Sequence, residues 1–111
     1  MIDHVNPTQL SDWQPVPGKP VIVLDVREPA ELGVASVTPD GFVLQTIPMG
    51  EIPARMAELD PEQPIACLCH HGGRSMRVAQ FLAHHGFQHV ANVTGGIDAW
   101  SIQRDASVPR Y

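Results

Sequence analysis

Basic residues are scarce in this sequence. Seven lysines and arginines face twelve aspartates and glutamates, for a formal net charge of -5. No broad basic surface is available to replace phosphate counterions, which argues against a nucleic-acid binder. An acidic protein can still hold one local anion, because a loop of amides and a single arginine suffice. Cysteine is equally scarce: Cys67 and Cys69 are the only two. They lie too close together to staple a fold, so free thiols in a reducing setting are expected. No stretch approaches the roughly 18 apolar residues of a transmembrane span. The N-terminal MIDHVNPTQLSDW has no basic region followed by an apolar run, the mark of a secretion signal. The expectation from these absences is a cytoplasmic protein with no membrane partner.

What remains is an ordinary globular composition, 43% hydrophobic over 111 residues. That length suits one domain spanning 1–111, able to bury roughly two-thirds of its unfolded surface without metal or disulfide support. Asn6-Pro7 reads as the cap and first position of a short helix reaching Trp13. Val21–Leu24 and Ile65–Leu68 are short, continuously apolar runs, as expected of strands buried on both faces of a parallel sheet. His89–Val93 is a third. Residues 29–32 can form a helical turn. The segments 34–37 and 42–47 read as extended, with Thr38-Pro39-Asp40-Gly41 turning between them. Helices are expected over 51–59, 75–85 and 97–103, with Gly86 ending the second. Ile52, Met56 and Leu59 share one helix face. Strands and helices alternate, which predicts an α/β domain with a central, largely parallel sheet flanked by helices.

Cys69 closes a predicted strand, and four residues, His70, His71, Gly72 and Gly73, separate it from Arg74. Sites in parallel sheets form beyond the carboxyl ends of strands. The two glycines permit a tight turn with amides facing inward. The helix starting near Ser75 favours negative charge at its N-terminus, and a cysteine there tends toward the thiolate. Arg74 either binds a substrate oxyanion or holds the loop through a carboxylate. The pattern reads as an activated thiolate facing a ring of amides that stabilises an anion without a metal. Attack on the outer sulfur of thiosulfate fits that chemistry, and so does attack on phosphate or arsenate.

The sequence resembles the rhodanese-like sulfurtransferases in their short single-domain form. The resemblance rests on Leu24-Asp25-Val26-Arg27-Glu28-Pro29, on Ile47-Pro48 ahead of a helix, on the loop CHHGGRS, and on Gly95-Gly96-Ile97-Asp98-Ala99-Trp100. It implies that Cys69 becomes persulfidated, that the amides of His70 through Ser75 cradle the transferred sulfur, and that Arg74 closes the loop. Asp25 and Arg27 would be supporting residues. Asp25 alternatively caps the strand end, and Arg27 either pairs with a carboxylate or lies in solvent. Related cysteine phosphatases have a longer loop, so the shorter one here favours sulfur over phosphate. Two features depart from the family pattern. Many active members carry arginine after the cysteine, where this chain has His70. The Gly-His-Ile-Pro-Gly-Ala stretch common in the family is replaced by Leu32-Gly33-Val34-Ala35-Ser36-Val37.

The resemblance thus implies a thiosulfate sulfurtransferase-like enzyme. It would move sulfane sulfur from a small anionic donor to cyanide, a thiol or an acceptor protein, as a monomer or weak dimer without a cofactor. A sulfur-carrier or protein-binding module of low turnover, and a cysteine phosphatase or arsenate reductase, are the alternatives. Cys67 reads as a buried hydrophobe, or else as a resolving thiol. Cys67, Cys69, His70 and His71 are too crowded for four-coordinate zinc, and no metal is expected. His84 and His85 sit at a helix end, where cations complement the dipole. Trp13 and Trp100 read as packing residues, and Glu51, Arg55 and Glu58 as an exposed helix face.

Overall fold

The computed structural model describes residues 2–111. Five parallel strands form one sheet: β1 (Ile2–Val5), β2 (Ile22–Asp25), β3 (Val43–Thr46), β4 (Ile65–Leu68) and β5 (Val90–Val93). Their spatial order is β1-β5-β4-β2-β3. The helices are α1 (Pro29–Val34), α2 (Ile52–Arg55), α3 (Gly73–His84) and α4 (Gly96–Gln103). The central strands β2, β4 and β5 are buried at every position. Alternate side chains supply opposite faces, as strand geometry requires. Val23, Ala66, Leu68, Ala91 and Val93 meet Leu10, Trp13, Ile97 and Trp100 on one face. Ile22, Leu24, Ile65, Cys67 and Val90 meet Ile52, Val78, Ala79 and Leu82 on the other. The sheet is therefore covered on both sides, which explains the continuous apolar runs of its central strands.

Several elements differ from expectation. β1 is an edge strand, pairing Ile2–Val5 with Val90–Val93. Its sequence is not a continuous apolar run, and Asp3 and His4 are both exposed, so it lacks the signature of the central strands. The expected helix after Asn6 is only a turn followed by a 3-10 segment, Leu10–Asp12. The Asn6 side chain still accepts a hydrogen bond from Gln9 N–H at 3.0 Å. Residues 34–37 form no strand: α1 runs through Val34, and Ala35 and Val37 pack into the core from an irregular segment. The helix expected over 51–59 is broken into 3-10, α and 3-10 pieces covering 49–58. Pro53 stands in the first turn of the α piece, where its missing N–H leaves no helical bond unmade, and its ring bars an α-helix from starting further upstream. Ile52 and Leu59 are nevertheless buried, and Met56 packs against the same cluster.

The strand order changes direction between β2 and β4. From β2 the chain moves outward to β3, then crosses back to β4 on the opposite side. In register, Asp25 lies beside Leu68, and Val26 N–H donates to the Leu68 carbonyl at 2.9 Å. The segments leaving β2 and β4 thus face each other across a crevice at the carboxyl edge. This is the kind of switch point at which open α/β sheets place their sites.

Candidate active site

Cys69 follows β4 directly and is 1% exposed. Its sulfur is touched by the Gly72 amide, which donates at 3.1 Å, and by the Ser75 hydroxyl at 3.2 Å. Gly72 caps α3 with φ +108°. That left-handed backbone, which disfavours an L side chain, turns its N–H back onto the sulfur. α3 starts at Gly73, two residues earlier than expected, so the first turn of the helix reaches the loop. The amide cradle expected from His70 to Ser75 is represented at the sulfur by Gly72 alone, joined by the Ser75 side chain.

Ser75 is fully buried and also lies 2.6 Å from Asn92 Oδ1. Asn92 Nδ2 in turn donates to the Gly72 carbonyl at 3.3 Å. A hydroxyl has one proton to give. When Ser75 donates to Asn92, its oxygen presents a lone pair to the sulfur and can accept from the Cys69 thiol. When the thiolate forms, the same hydroxyl can rotate to donate to it. Asn92, on β5, was not singled out from sequence; inside an apolar strand it was the one polar signal available.

The outer side of the loop is held by α4. Ile97 N–H donates to the Cys69 carbonyl at 2.8 Å, and Asp98 N–H donates to the His70 carbonyl at 3.1 Å. Gly96 has φ +62°, and a Cβ there would lie 2.4 Å from both carbonyl oxygens. The Gly95-Gly96 pair therefore lets α4 approach the loop backbone from behind and turn two carbonyls away from the sulfur.

Arg74 forms a bidentate pair with Glu31 of α1, with Nη1–Oε1 at 2.6 Å and Nη2–Oε2 at 2.8 Å. The loop-holding role is the one this geometry fits, and Arg74 reaches across the crevice to do it. Arg74 holds the Glu31 carboxyl far below the usual carboxylate range, and the carboxylate raises the Arg74 pKa. Glu31 was missed from sequence, where it reads as an ordinary residue of the first helical turn. It also accepts from Glu28 N–H at 3.1 Å, supporting the start of α1.

Beneath this rim lie Asp25 and Arg27, both essentially inaccessible. Arg27 is not in solvent. Its Nε and Nη2 donate to Asp25 at 2.9 and 2.7 Å, Nη2 also to the Ala35 carbonyl at 2.8 Å, and Nη1 to the Glu31 carbonyl at 3.4 Å and the Tyr111 hydroxyl at 3.0 Å. Burial alone would depress the Arg27 pKa, but these bonds, led by Asp25, raise it. Asp25 is both strand-end cap and ion-pair partner, because it also accepts from Arg27 N–H at 3.1 Å.

Tyr111, beyond α4, packs on the site. Its ring stacks on His70 with centroids 3.9 Å apart and planes 5° apart, and His71 stacks on the other side of this pair at 3.9 Å from His70. His70 Nε2 is shielded and has no hydrogen-bond partner among the described residues. Burial, aided by the neighbouring Cys69, pushes the Cys67 thiol well above its ordinary range. His84 and His85 are exposed at the end of α3, away from these contacts. Arg55 pairs with Glu51 and Glu58 rather than with the loop. Among the described residues, no group of three His, Cys, Asp or Glu could hold a metal ion, and no helix is long and apolar enough to cross a membrane.

Comparison with known proteins bears on the fold and the family. Residues 7–103 match the family model of the rhodanese-like domain. A chloroplastic rhodanese-like/PpiC domain-containing protein of Arabidopsis thaliana is 42% identical over 80% of this chain, which spans only 30% of that protein's length. The thiosulfate sulfurtransferase GlpE of Actinobacillus pleuropneumoniae is 32% identical over 87% of this chain and 84% of its own. The solved polysulfide-sulfur transferase homodimer of Wolinella succinogenes superimposes with a TM-score of 0.69 at 27% identity, covering 92% of this chain and 74% of that one. With the family model matched over residues 7–103, the fold shared and a sulfurtransferase relative covered over most of its length, this chain belongs to the rhodanese-like sulfurtransferase family.

Proposed function

We propose that the protein transfers sulfane sulfur through a persulfide on Cys69. The Cys69 thiolate attacks the outer sulfur of a donor such as thiosulfate. A new S–S bond forms, the donor's own S–S bond breaks, and its electron pair leaves with sulfite. The persulfide then gives its outer sulfur to a nucleophile, cyanide in an assay or a thiol in the cell, and the Cys69 thiolate returns.

The observation that carries this reading is the pair of donors at the sulfur, Gly72 N–H at 3.1 Å inside the four-residue loop and Ser75 Oγ at 3.2 Å just beyond Arg74. In this reading they stabilise the charge that stays near the sulfur in both steps. His70 and His71 line the mouth, and the shielded His70 Nε2 has no partner of its own among the described residues, so a donor oxygen that reached it would meet an unsatisfied ring nitrogen. Gly73 contributes backbone at the start of α3. Arg74 acts through Glu31 rather than as a free anion hook, and Asp25 and Arg27 keep the opposite wall in place. A reducing cytoplasmic setting suits two free thiols.

Mass spectrometry after thiosulfate treatment tests it. Addition of one sulfur atom to Cys69, absent in Cys69→Ser, is expected. No such addition with thiosulfate, polysulfide or a low-molecular-weight persulfide overturns the proposal, and Cys69-dependent turnover of an aryl phosphate or arsenate would replace it. A second reading, a carrier that discharges only to a protein partner, is favoured by the burial of Cys69 and by His70. It predicts slow sulfur loss to cyanide and rapid loss on adding the partner.

A further inference from the structure

The Cys69 sulfur has donors ready but almost no exposed surface: the residue is 1% accessible. A donor must place its own sulfur in contact with it, so something at the crevice has to move. The Asp25–Arg27 pair is inaccessible, and the Arg74–Glu31 pair, though partly exposed, is bidentate and ties the loop itself to α1. The loop backbone is gripped by α4. Tyr111 is different. It is carried by an irregular segment beyond α4, anchored by Val108 in the core and by the exposed Arg110–Asp98 pair at 2.9 Å.

Tyr111 bridges both walls of the crevice. On the β4 side its ring lies flat on His70, the residue next to Cys69. On the β2 side its hydroxyl donates to Glu31 Oε2 at 2.7 Å and accepts from Arg27 Nη1 at 3.0 Å. Burial raises the Tyr111 pKa, so the hydroxyl keeps the proton it donates to Glu31. Releasing the ring breaks one stack, two hydrogen bonds and the cation–π contact with Arg27, whose guanidinium carbon lies 5.8 Å from the ring centroid. It leaves Arg74 on Glu31, and Arg27 keeps its bonds to Asp25 and the Ala35 carbonyl. The crevice can thus open at this side chain while its walls stay intact.

We propose that Tyr111 gates Cys69: seated between His70 and Glu31 it closes the crevice, and its release admits the sulfur donor. Because the opening is set by one side chain, narrow donors need a small displacement and wide ones a large one. Tyr111 is then a specificity-determining residue that favours slim sulfane anions over bulky organic persulfides. This inference rests on Cys69 being the reacting thiol of the proposed function.

The test measures alkylation of Cys69 by iodoacetamide and by a bulky fluorescein maleimide in wild type, Y111F and Y111A. Rates are followed over pH to their plateau, where the thiolate is fully formed and only access limits them, and the labelled cysteine is mapped by mass. Losing contacts of the charge-assisted kind should raise the Y111A plateau about tenfold for iodoacetamide. The rise should be larger for the maleimide. Y111F keeps the stack and loses the hydroxyl bonds, so its plateau should lie between. Plateau rates in both variants equal to or below wild type, with unchanged melting temperatures, overturn the gate. Donor treatment of the same samples separates the two ideas. Faster alkylation without any Cys69 persulfide supports the gate and sinks sulfur transfer, whereas persulfide formation with unaltered alkylation rates does the reverse.

Discussion

Two Gly-Gly pairs follow neighbouring strands and open consecutive helices on opposite faces of the sheet, yet they do different work. Gly72-Gly73 follows β4 and leads into α3; Gly95-Gly96 follows β5 and leads into α4. The first pair presents an amide to the sulfur, at 3.1 Å from Gly72. The second presents no group to the sulfur at all. It lets Ile97 and Asp98 N–H take the carbonyls of Cys69 and His70. The difference separates supplying a donor from holding the backbone that carries it. The two carbonyls held by α4 belong to the peptide units of the His70 and His71 amides, so α4 fixes the first half of the loop, while the Gly72 amide is aimed by its own left-handed turn.

The largest expected effect is therefore at the pair farther from the chemistry. In Gly96→Ala, the new methyl would meet two backbone oxygens at 2.4 Å, and backbone cannot step aside as a flexible side chain can. The φ of +62° adds strain of its own. A stability loss of about 3 kcal/mol is expected, together with a roughly 100-fold fall in Cys69 persulfide formation as the loop shifts. Denaturant unfolding and single-turnover mass spectrometry measure the two. A variant that binds and transfers sulfur at the wild-type rate would show that the carbonyl clamp is dispensable.

This asymmetry was only half legible in the sequence. Cys69, its spacing to Arg74 and the buried central strands could be read directly, because apolar runs and a Cys-to-Arg loop are local patterns. The partners that complete the site are not local. Glu31 lies 43 residues from Arg74, and Tyr111 lies 80 from Glu31. Both are ordinary residue types in unremarkable positions, and only the strand order β1-β5-β4-β2-β3 brings them to one crevice. β1 escaped for a related reason. As an edge strand it carries charged and polar residues outward, so it resembles a loop. The broken helix over 49–58 stays hidden in the sequence because its apolar spacing survives across the 3-10 and α pieces, so that Ile52 and Leu59 reach the core all the same.

The far end of the loop depends on charge rather than on glycine, and pH can separate the two modes of support. Arg74 holds the Glu31 carboxyl far below its ordinary range. A group depressed in the folded state stabilises above its unfolded pKa and loses that contribution as pH falls toward the folded value. Glu31→Gln should thus cost about 1 kcal/mol at neutral pH, a figure kept small because the pair is partly exposed. The gap between variant and wild type should narrow below about pH 4, near the ordinary glutamate pKa. Thermal midpoints across pH 3 to 7 read this out. A gap independent of pH would mean that Glu31 supports the loop by shape or through Tyr111 rather than by its charge.

The smallest effect is expected at Gly73, and it sharpens the contrast most. Gly73 stands beside Gly72 in the same loop, but its φ is not positive, and a Cβ there would meet nothing within 4 Å. It is the first residue of α3, where alanine is a better helix former. Gly73→Ala should therefore stabilise the protein by about 0.5 kcal/mol, chiefly by restricting the unfolded chain. Its backbone N–H stays in place, so Cys69 persulfide formation should remain within about twofold of wild type if the transferred sulfur sees only that amide. A large loss of transfer with stability intact would mean that the donor occupies the space into which the methyl projects. In that case Gly73 would be a wall of the substrate site, and the first pair would need both glycines for reasons as different as those that separate it from the second.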